Sequence, residues 1–499
     1  MFLKNVISRK NMVHCALCED APCTRACGVF DCARVLRGIW FDNEQSACAA
    51  IPEPNPCKDC GARCESACVF PGLVPIRSLM ERFDVGKKYV VHSDADQSPL
   101  RTDLCGIPLE NPFLLSSSVV ASSYEMCARA FERGWAGAAF KTIGLMDIHE
   151  TSPRFSAIKG EAGAIIGFKN IEQLSDLSLP ENISIFRRLK ADYLDKLLLV
   201  SIMGRNEAEW TELARMVTEA GADALELNFS CPHMSEDGTG ADVGQVPELV
   251  ERYTAAARRG STLPILAKLT PNVASMTPMA EAALRGGANG LAAINTIKSI
   301  INVDPHSYVS APAIRGHSSV GGYSGAAVKP IALRFIEELA LCTAGRGVHI
   351  SGMGGIETWR DALEFILMGA GSVQITTAVM QYGYRIIDDL KDGLTSYLAE
   401  KGIGSVSEII GEGLASMKET DELERDSVIY PRFDRTACVG CGRCHISCMD
   451  GGHGAIRFTE SRQPMLDAKK CVGCHLCVLV CPTGAILSSN KRVMPAARG

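Results

Sequence analysis

Near the C-terminus, cysteines recur as Cys438-x2-Cys441-x2-Cys444-x3-Cys448 and again as Cys471-x2-Cys474-x2-Cys477-x3-Cys481-Pro482. This spacing constrains the fold more than any other feature. Three thiolates on one short loop grip three irons of a cube, and the fourth, just before a chain reversal, reaches across to a neighbouring cube. Cys438, Cys441, Cys444 and Cys481 therefore group around one 4Fe-4S cluster, and Cys448, Cys471, Cys474 and Cys477 around a second. Zinc, held tetrahedrally by CxxC pairs, is the competing use of such residues. The doubled run with proline after its last member favours clusters. Met449 stands where the first run would usually carry its own proline, which weakens the turn more than the ligation.

The chain has 22 cysteines: ten between Cys15 and Cys68, four in the middle (Cys105, Cys127, Cys231, Cys342) and eight between Cys438 and Cys481. Clustering at ligand spacings points to metal in a reducing compartment rather than to disulfides. A hydrophobic content of 46% over 499 residues is ample for roughly two to four domains. A net charge of −6 without a basic stripe leaves nucleic acid no electrostatic footing. No apolar leader opens the chain and no run of about 18 apolar residues occurs, so a soluble, cytoplasmic protein without a membrane partner is expected.

The cysteine zones divide the chain. An N-terminal cysteine-rich domain is expected over 1–84, a middle domain over 101–400 and a cluster domain over 427–488. Polar connections at 84–100 and 401–426 separate them, and the residues from Ser488 onward read as a frayed polar tail. Short β-rich runs in the middle zone, at 113–117, 137–143, 198–203, 224–229, 265–269, 290–295, 348–351 and 372–376, alternate with amphipathic stretches such as 207–219 and 357–367. Eight such alternations are what a (β/α)8 barrel requires. A doubly wound sheet is the competitor, but no GxGxxG is present. The nearest match, Gly402-Ile-Gly404, has Ser407 in the third glycine's place, so the chain is not expected to bind NAD by itself.

Reactive groups in such barrels sit where strands end. Here Lys141-Thr142, Asn228, Lys268 and Asn295-Thr296 come from four different strands. A lysine offers a fixed positive charge to a reduced flavin, and asparagines offer paired donors and acceptors to a planar, amide-bearing ring. The seventh strand runs into Met353-Gly354-Gly355 before a helical pattern, and the eighth into Thr376-Thr377. Glycine amides and a helix start there suit phosphate, although Gly-Gly also makes plain turns. Cys231, between Ser230 and Pro232 on an expected loop, is a candidate for proton transfer to or from carbon; a buried structural thiol is the alternative. His233 could orient it or be an ordinary surface residue.

Taken in order, Phe140-Lys141-Thr142, Gly167-Phe168-Lys169-Asn170-Ile171-Glu172, the loop 228–233, Ala267-Lys268-Leu269-Thr270-Pro271-Asn272, Asn295-Thr296 and Gly321-Gly322-Tyr323-Ser324-Gly325 resemble dihydropyrimidine dehydrogenase, most of all the catalytic subunit of the bacterial NAD-dependent type. The likeness covers about 108–486, including the ferredoxin-like C-terminal module. It implies a dihydroorotate dehydrogenase-like (β/α)8 barrel that binds FMN and reduces the C5=C6 bond of uracil or thymine, or oxidises the dihydropyrimidine. By the matching motifs, Ser117, Lys141, Thr142, Lys268, Gly325, Met353, Gly354, Gly355, Thr376 and Thr377 would hold FMN. Asn170, Glu172, Asn228, Ser230, Asn295 and Thr296 would hold the pyrimidine, and Cys231 would pass a proton at C5 while hydride passes between the flavin and C6. Three asparagines and one carboxylate suit the carbonyls and N–H groups of a uracil ring.

At the N-terminus, Cys15, Cys18, Cys23 and Cys27 look like the start of the α-helical cluster domain of the long, single-chain form of that enzyme. Cys57, Cys60, Cys64 and Cys68 are more compressed than the family's second set, while Cys32 and Cys48 are additional. One or two further 4Fe-4S clusters are expected there, with the grouping open and a zinc fold the alternative. Expected partners are a separate reductase subunit binding FAD and NAD(P), or a ferredoxin-type donor, within a homodimer or hetero-oligomer. Two other readings compete. A dihydroorotate dehydrogenase has a similar Asn-x-Ser-Cys-Pro loop, but Glu172 should repel a substrate that bears its own carboxylate. An electron-transfer subunit would use flavin only as a relay.

Overall fold

The computed structural model describes residues 12–83, 98–160, 164–229 and 243–494. They form two compact units, Met1–Leu414 and Ala415–Gly499. Among the described residues no helix is long and apolar enough to cross a membrane.

The first unit begins with short helices α1 (Pro22–Cys27), α2 (Cys32–Trp40), α3 (Glu44–Ala49), α4 (Arg63–Ser66) and α5 (Ile76–Glu81). A hairpin, β1 (Thr102–Leu104) and β2 (Ile107–Leu109), precedes the barrel strand β3 (Phe113–Leu115), helix α6 (Tyr124–Glu132) and strand β4 (Gly137–Ile143). Strands β5 (Phe155–Lys159) and β6 (Ile165–Asn170) form an excursion. The repeat resumes with α7 (Leu179–Asp192), β7 (Leu197–Ile202), α8 (Glu207–Glu219), β8 (Ala224–Asn228), α9 (Pro247–Gly260), β9 (Ile265–Lys268), α10 (Thr277–Arg285) and β10 (Gly290–Ala293). A second excursion, β11 (Ile297–Ser299) and β12 (Gly321–Ser324), leads to α11 (Lys329–Cys342), β13 (His349–Met353), α12 (Trp359–Leu367), β14 (Ser372–Ile375), α13 (Thr377–Tyr382) and α14 (Ile386–Lys401).

Strands β3, β4, β7, β8, β9, β10, β13 and β14 pair in parallel and close into a barrel in sequence order, and β5, β6, β11 and β12 make a four-stranded sheet. Helix starts are encoded locally. Ser178 and Glu181 form a capping box on α7, and the Ser123 and Asn206 side chains accept from the backbone N–H groups of Met126 and Glu209. Gly402 ends α14 with φ +68°, the left-handed turn that follows many helices, so the near-miss glycine pair is helix punctuation.

Period-two alternation fixes what faces the barrel interior. Leu114, Ala139, Leu199, Ala224, Leu266 and Ala292 form one apolar layer, joined by Leu104 and Leu109 of the hairpin. One step further along the strands, the buried inward positions turn polar: Ser116, Ser201, Glu226, Lys268 and Gln374. The outward faces pack on the helices. Phe140 meets Phe186 edge-on at 4.9 Å, and Trp210 sits between Phe229 and Tyr253. Each such side chain contributes roughly 1.5–3 kcal/mol by leaving water.

The N-terminal helices share that core. Trp40 and Phe41 pack on Tyr382, Arg37 pairs with Asp389, the Asn43 amide donates to Asp389 O at 2.7 Å and Trp359 Nε1 donates to Asp42 O at 3.1 Å. The stretch after α14, expected to be a plain connection, packs back on the unit through buried Val406 and Ile409 and through Gly411 and Gly413 amides donating to Ile366 and Leu367 carbonyls.

In the second unit, β15 (Val428–Phe433) pairs with β18 (Ile486–Val493), and β16 (Ile456–Phe458) with β17 (Pro464–Leu466), around α15 (Arg443–Gly451) and α16 (Leu476–Leu479). The expected frayed tail is thus corrected: Ser488 pairs with Pro431 and Val493 with Val428. Backbone bonds hold this polar strand, and no apolar pattern marks it.

Gly393 lies where the two parts of the first unit meet, and a Cβ there would overlap the Trp359 indole and the Asn43 amide. Gly393→Val should lower stability by about 1–3 kcal/mol and loosen the N-terminal helices. Thermal unfolding together with limited proteolysis checks this; an unchanged melting temperature with an uncut N-terminus would contradict it.

Candidate active site

The barrel strands point their C-terminal ends into an open cleft of about 1140 Å³, the solvent at its mouth included. Ser117, Lys141, Thr142, Asn170, Glu172, Asn228, Lys268, Asn295, Thr296, Gly325, Met353, Gly354, Gly355, Thr376 and Thr377 all line it. Ser230, Cys231 and His233 lie outside the described residues.

Lys268 forms part of the cleft wall yet is 3% exposed. Its ammonium donates to Ser117 Oγ at 2.8 Å and Glu226 Oε1 at 3.1 Å, and Ser117 Oγ donates to the same carboxylate oxygen at 2.7 Å. Lys141 and Thr142 lie within β4 rather than after it. The β4–β7 register slips between Phe140 and Ile143, and this irregularity lets both consecutive side chains face the cleft.

Amides line another wall in series. Asn228 Nδ2 donates to Thr142 Oγ1 at 2.9 Å, Asn295 Nδ2 to Asn228 Oδ1 at 3.2 Å, and Thr296 N to Asn295 Oδ1 at 2.8 Å. Asn272, not singled out from sequence, adds a bond to Thr296 O at 3.2 Å. The small sheet brings in Asn170, paired with Phe155 and Gly322. Lys169, next to it in the quoted motif, is structural: fully buried, it donates to Ala311 O at 2.9 Å and Ser319 O at 2.8 Å, which pins the 297–320 excursion.

Glu172 stands 3.5 Å from Lys141 Nζ and 3.3 Å from Arg154 Nη1, and Glu150 meets the same two cations at 3.7 and 3.9 Å. Burial pushes the Glu172 carboxyl above its ordinary range, against the pull of Lys141 and Arg154. Its Oε1 is buried without a hydrogen-bond partner among the described residues. A planar N–H donor would satisfy it. Neither Glu150 nor Arg154 was legible as a site residue, because both lie on a loop without a motif.

Gly354 and Gly355 have φ of +120° and +84°. A Cβ on Gly355 would lie 2.9 Å from Lys329 N and 3.0 Å from Gly325 O, so only glycine fits the loop. The start of α12 is already occupied by the chain itself. Asp361 Oδ2 accepts from the Glu357 and Thr358 amides at 3.0 and 2.8 Å, and Lys329 holds its other oxygen at 2.7 Å. A phosphate at this end would therefore rely on the glycine backbone and on Thr376 and Thr377, without the helix start anticipated from sequence. A glycine cradle, a buried lysine and an amide wall fit FMN with a planar ring beside it.

The cysteines gather in four groups. In the second unit Cys438, Cys441, Cys444 and Cys481 line one hollow, and Cys448, Cys471, Cys474 and Cys477 another. Ala455 N donates to Cys448 Sγ at 3.3 Å and Gly473 N to Cys471 Sγ at 3.4 Å. In the first unit the sequential sets exchange members. Cys15, Cys18 and Cys23 share a hollow with Cys68, while Cys57 lies near Cys27, Cys60 and Cys64. Cys32, 1% exposed, lies beside Cys64 and Cys27. Among the described residues no three His, Cys, Asp or Glu side chains could hold a single metal ion.

A closed barrel with a polar catalytic mouth, joined to a two-loop cysteine module, defines an iron-sulfur oxidoreductase of the flavin-barrel class. The dihydroorotate dehydrogenase family model matches residues 99–398, more than half of the chain, and the chain belongs to that family. The 4Fe-4S dicluster domain model matches 432–487. The chain is 54% identical over 361 residues to the NAD-dependent dihydropyrimidine dehydrogenase subunit PreA of Escherichia coli K12, covering 72% of this chain and 88% of that one. It is 36% identical to the chloroplastic dihydropyrimidine dehydrogenase (NADP(+)) of Arabidopsis thaliana, over 68% and 82% of the two chains. It is 38% identical to the catalytic subunit of Pyrococcus abyssi dihydroorotate dehydrogenase B (NAD(+)), over 63% and 99%. A crystal structure of DHODH from Eimeria tenella shares the fold, with a TM-score of 0.53 at 21% identity over 64% of this chain and 90% of that one.

Gly355→Ala should weaken FMN binding about tenfold, about 1.4 kcal/mol, with the secondary structure intact. Flavin released from the purified variant, read beside its circular dichroism, checks this; full flavin content would refute it.

Proposed function

We propose that this chain is the catalytic subunit of a dihydropyrimidine dehydrogenase, interconverting uracil or thymine and the 5,6-dihydropyrimidine. The observation that carries the reading is the convergence of Asn170, Glu172, Asn228, Asn295 and Thr296 on one cleft that also holds Lys268 and the Gly354-Gly355 loop. Amides and one carboxylate can answer every polar edge of a uracil ring, and a ring lacking those edges would leave buried groups unpaired. The Glu172 carboxylate lines the cleft and disfavours orotate, which bears a carboxylate of its own, whereas neutral pyrimidines meet no such penalty.

FMN, when bound, converts between one-electron transfer from clusters and hydride transfer at C6. Lys268 stabilises negative charge on the reduced ring, and Ser117, Lys141, Thr142, Gly325, Met353, Gly354, Gly355, Thr376 and Thr377 hold the cofactor. Asn170, Asn228, Ser230, Asn295 and Thr296 orient the substrate, Glu172 accepts from its N–H, and Cys231 gives or takes the proton at C5. The work divides among three modules, 1–84, 101–400 and 427–488.

Two C-terminal 4Fe-4S clusters use the groups Cys438/Cys441/Cys444/Cys481 and Cys448/Cys471/Cys474/Cys477. Two N-terminal ones use Cys15/Cys18/Cys23/Cys68 and Cys27/Cys57/Cys60/Cys64, a grouping supported by the shared hollow and by the proximity of Cys57 to the other three. Electrons enter from a reductase subunit carrying FAD and NAD(P), or from a ferredoxin-type donor, in the cytoplasm.

Protein purified without air should contain about sixteen irons per chain and FMN, and should reduce uracil or oxidise dihydrouracil with an artificial electron carrier. Orotate should be turned over at least tenfold more slowly. Cys231→Ala should lower turnover by a factor of roughly 10²–10⁴ while flavin content holds. Faster turnover of orotate than of uracil would return the chain to the dihydroorotate reading.

A further inference from the structure

Glu226 is a carboxylate in the interior of the barrel, with no exposed surface, and it does not line the cleft. Nothing about cofactor or substrate contact calls for it. Its two oxygens are held from opposite sides. Oε1 accepts from Lys268 Nζ at 3.1 Å and Ser117 Oγ at 2.7 Å, while Oε2 accepts from Gln374 Nε2 at 3.0 Å. Gln374 is anchored in turn. Its Nε2 also reaches Ser351 Oγ at 3.2 Å, Ser372 Oγ donates to Ser351 Oγ at 2.9 Å, and His349 Nε2 bonds Ser372 Oγ at 2.9 Å. A polar chain thus runs down the inside of β8, β14 and β13, where barrels of this kind pack branched apolar side chains.

Such a carboxylate does two things to the lysine in front of it. It fixes the ammonium at the cleft wall, because the far side of the carboxylate is tied to Gln374. It also offsets part of the positive charge presented to whatever occupies the cleft. A bare ammonium at 4% side-chain exposure would act at full strength on a neighbouring ring, and the buried acid at 0% moderates it.

We infer that Glu226 is a positioning residue that holds Lys268 at the cleft wall and sets how strongly the site favours the reduced, negatively charged form of a bound flavin. The inference rests on the reading above that FMN lies against Lys268. Its effect passes through Lys268 and requires no contact between Glu226 and cofactor or substrate.

The test is an anaerobic redox titration of the flavin in the full chain, with the cluster spectrum from flavin-stripped protein subtracted. Glu226→Gln keeps the shape and removes the charge. It should retain FMN and raise the ratio of reduced to oxidised flavin at fixed potential at least tenfold, an upward shift of about 30 mV for a two-electron couple. Lys268→Met should shift the midpoint downward. Adding Glu226→Gln to Lys268→Met should change nothing further, since the effect of Glu226 passes through the ammonium. Glu226→Asp keeps the charge but withdraws it by one methylene, so it should shift the midpoint upward by less than Glu226→Gln; it also supplies the reading should the glutamine variant not fold. Flavin-loaded Glu226→Gln or Glu226→Asp protein with the wild-type midpoint would overturn the inference, as would a full upward shift in the Lys268→Met background. Wild-type protein that carries no flavin would instead sink the functional reading on which it rests.

Discussion

The two-residue alternation of the parallel barrel strands governs this molecule. A closed barrel turns every second side chain inward, and here that register gives an apolar layer near the hairpin end and a polar layer at the cleft end. Placing serines, glutamine, glutamate and lysine inside a barrel is costly unless each finds a partner. The structure answers much of that demand by pairing Lys268 with Glu226 and linking the pair to neighbouring hydroxyls and to the Gln374 amide N–H. Removing one member of a buried pair typically costs about 3–5 kcal/mol. The charge at the cleft wall is therefore part of the fold and does not depend on a bound molecule to be in place.

The barrel alone makes only half of a binding site. The other half comes from the small sheet of β5, β6, β11 and β12, which carries Asn170 and leads into Glu172. Lys169 ties that sheet to the 297–320 excursion through two carbonyls, so the residue beside the site braces the excursion while Asn170 faces the cleft. Rigid strands and a braced sheet suit planar recognition, in which misplacement of an amide by an ångström forfeits most of its selectivity.

Much of this could be read from the residues. Strands buried on both faces appear as short apolar runs, and the eight runs found in sequence coincide, within a few residues, with the eight barrel strands. The candidate residues of the cleft were legible because lysine or asparagine at the end of an apolar run has no packing role to explain it. Other features depended on three-dimensional partners. The register slip that turns both Lys141 and Thr142 inward leaves no mark in composition. Asp361 occupies the α12 start that a phosphate was expected to share, although the Thr358-x-x-Asp361 pattern could have revealed it. Glu226 was also visible in principle, as a charged residue two positions before Asn228 on the same face of an apolar strand. The C-terminal β18 is polar almost throughout, so only its backbone ladder with β15 identifies it.

The N-terminal cysteines show why linear grouping fails. Cys68 joins Cys15, Cys18 and Cys23, and Cys27 joins the later set, so neither sequential run closes a site on its own. The same exchange governs the second unit, where Cys481 joins the first run and Cys448 the second. Crossing in this way makes each site close a long loop of chain, and the entropy lost by that closure must be offset by ligation. Filling one site would therefore bring ligands of its neighbour into position, so that paired sites would assemble together. In the first unit the apolar surface of α2 packs in the same core as the barrel helices, which couples assembly of the cysteine sites to the docking of Trp40 and Phe41 on Tyr382.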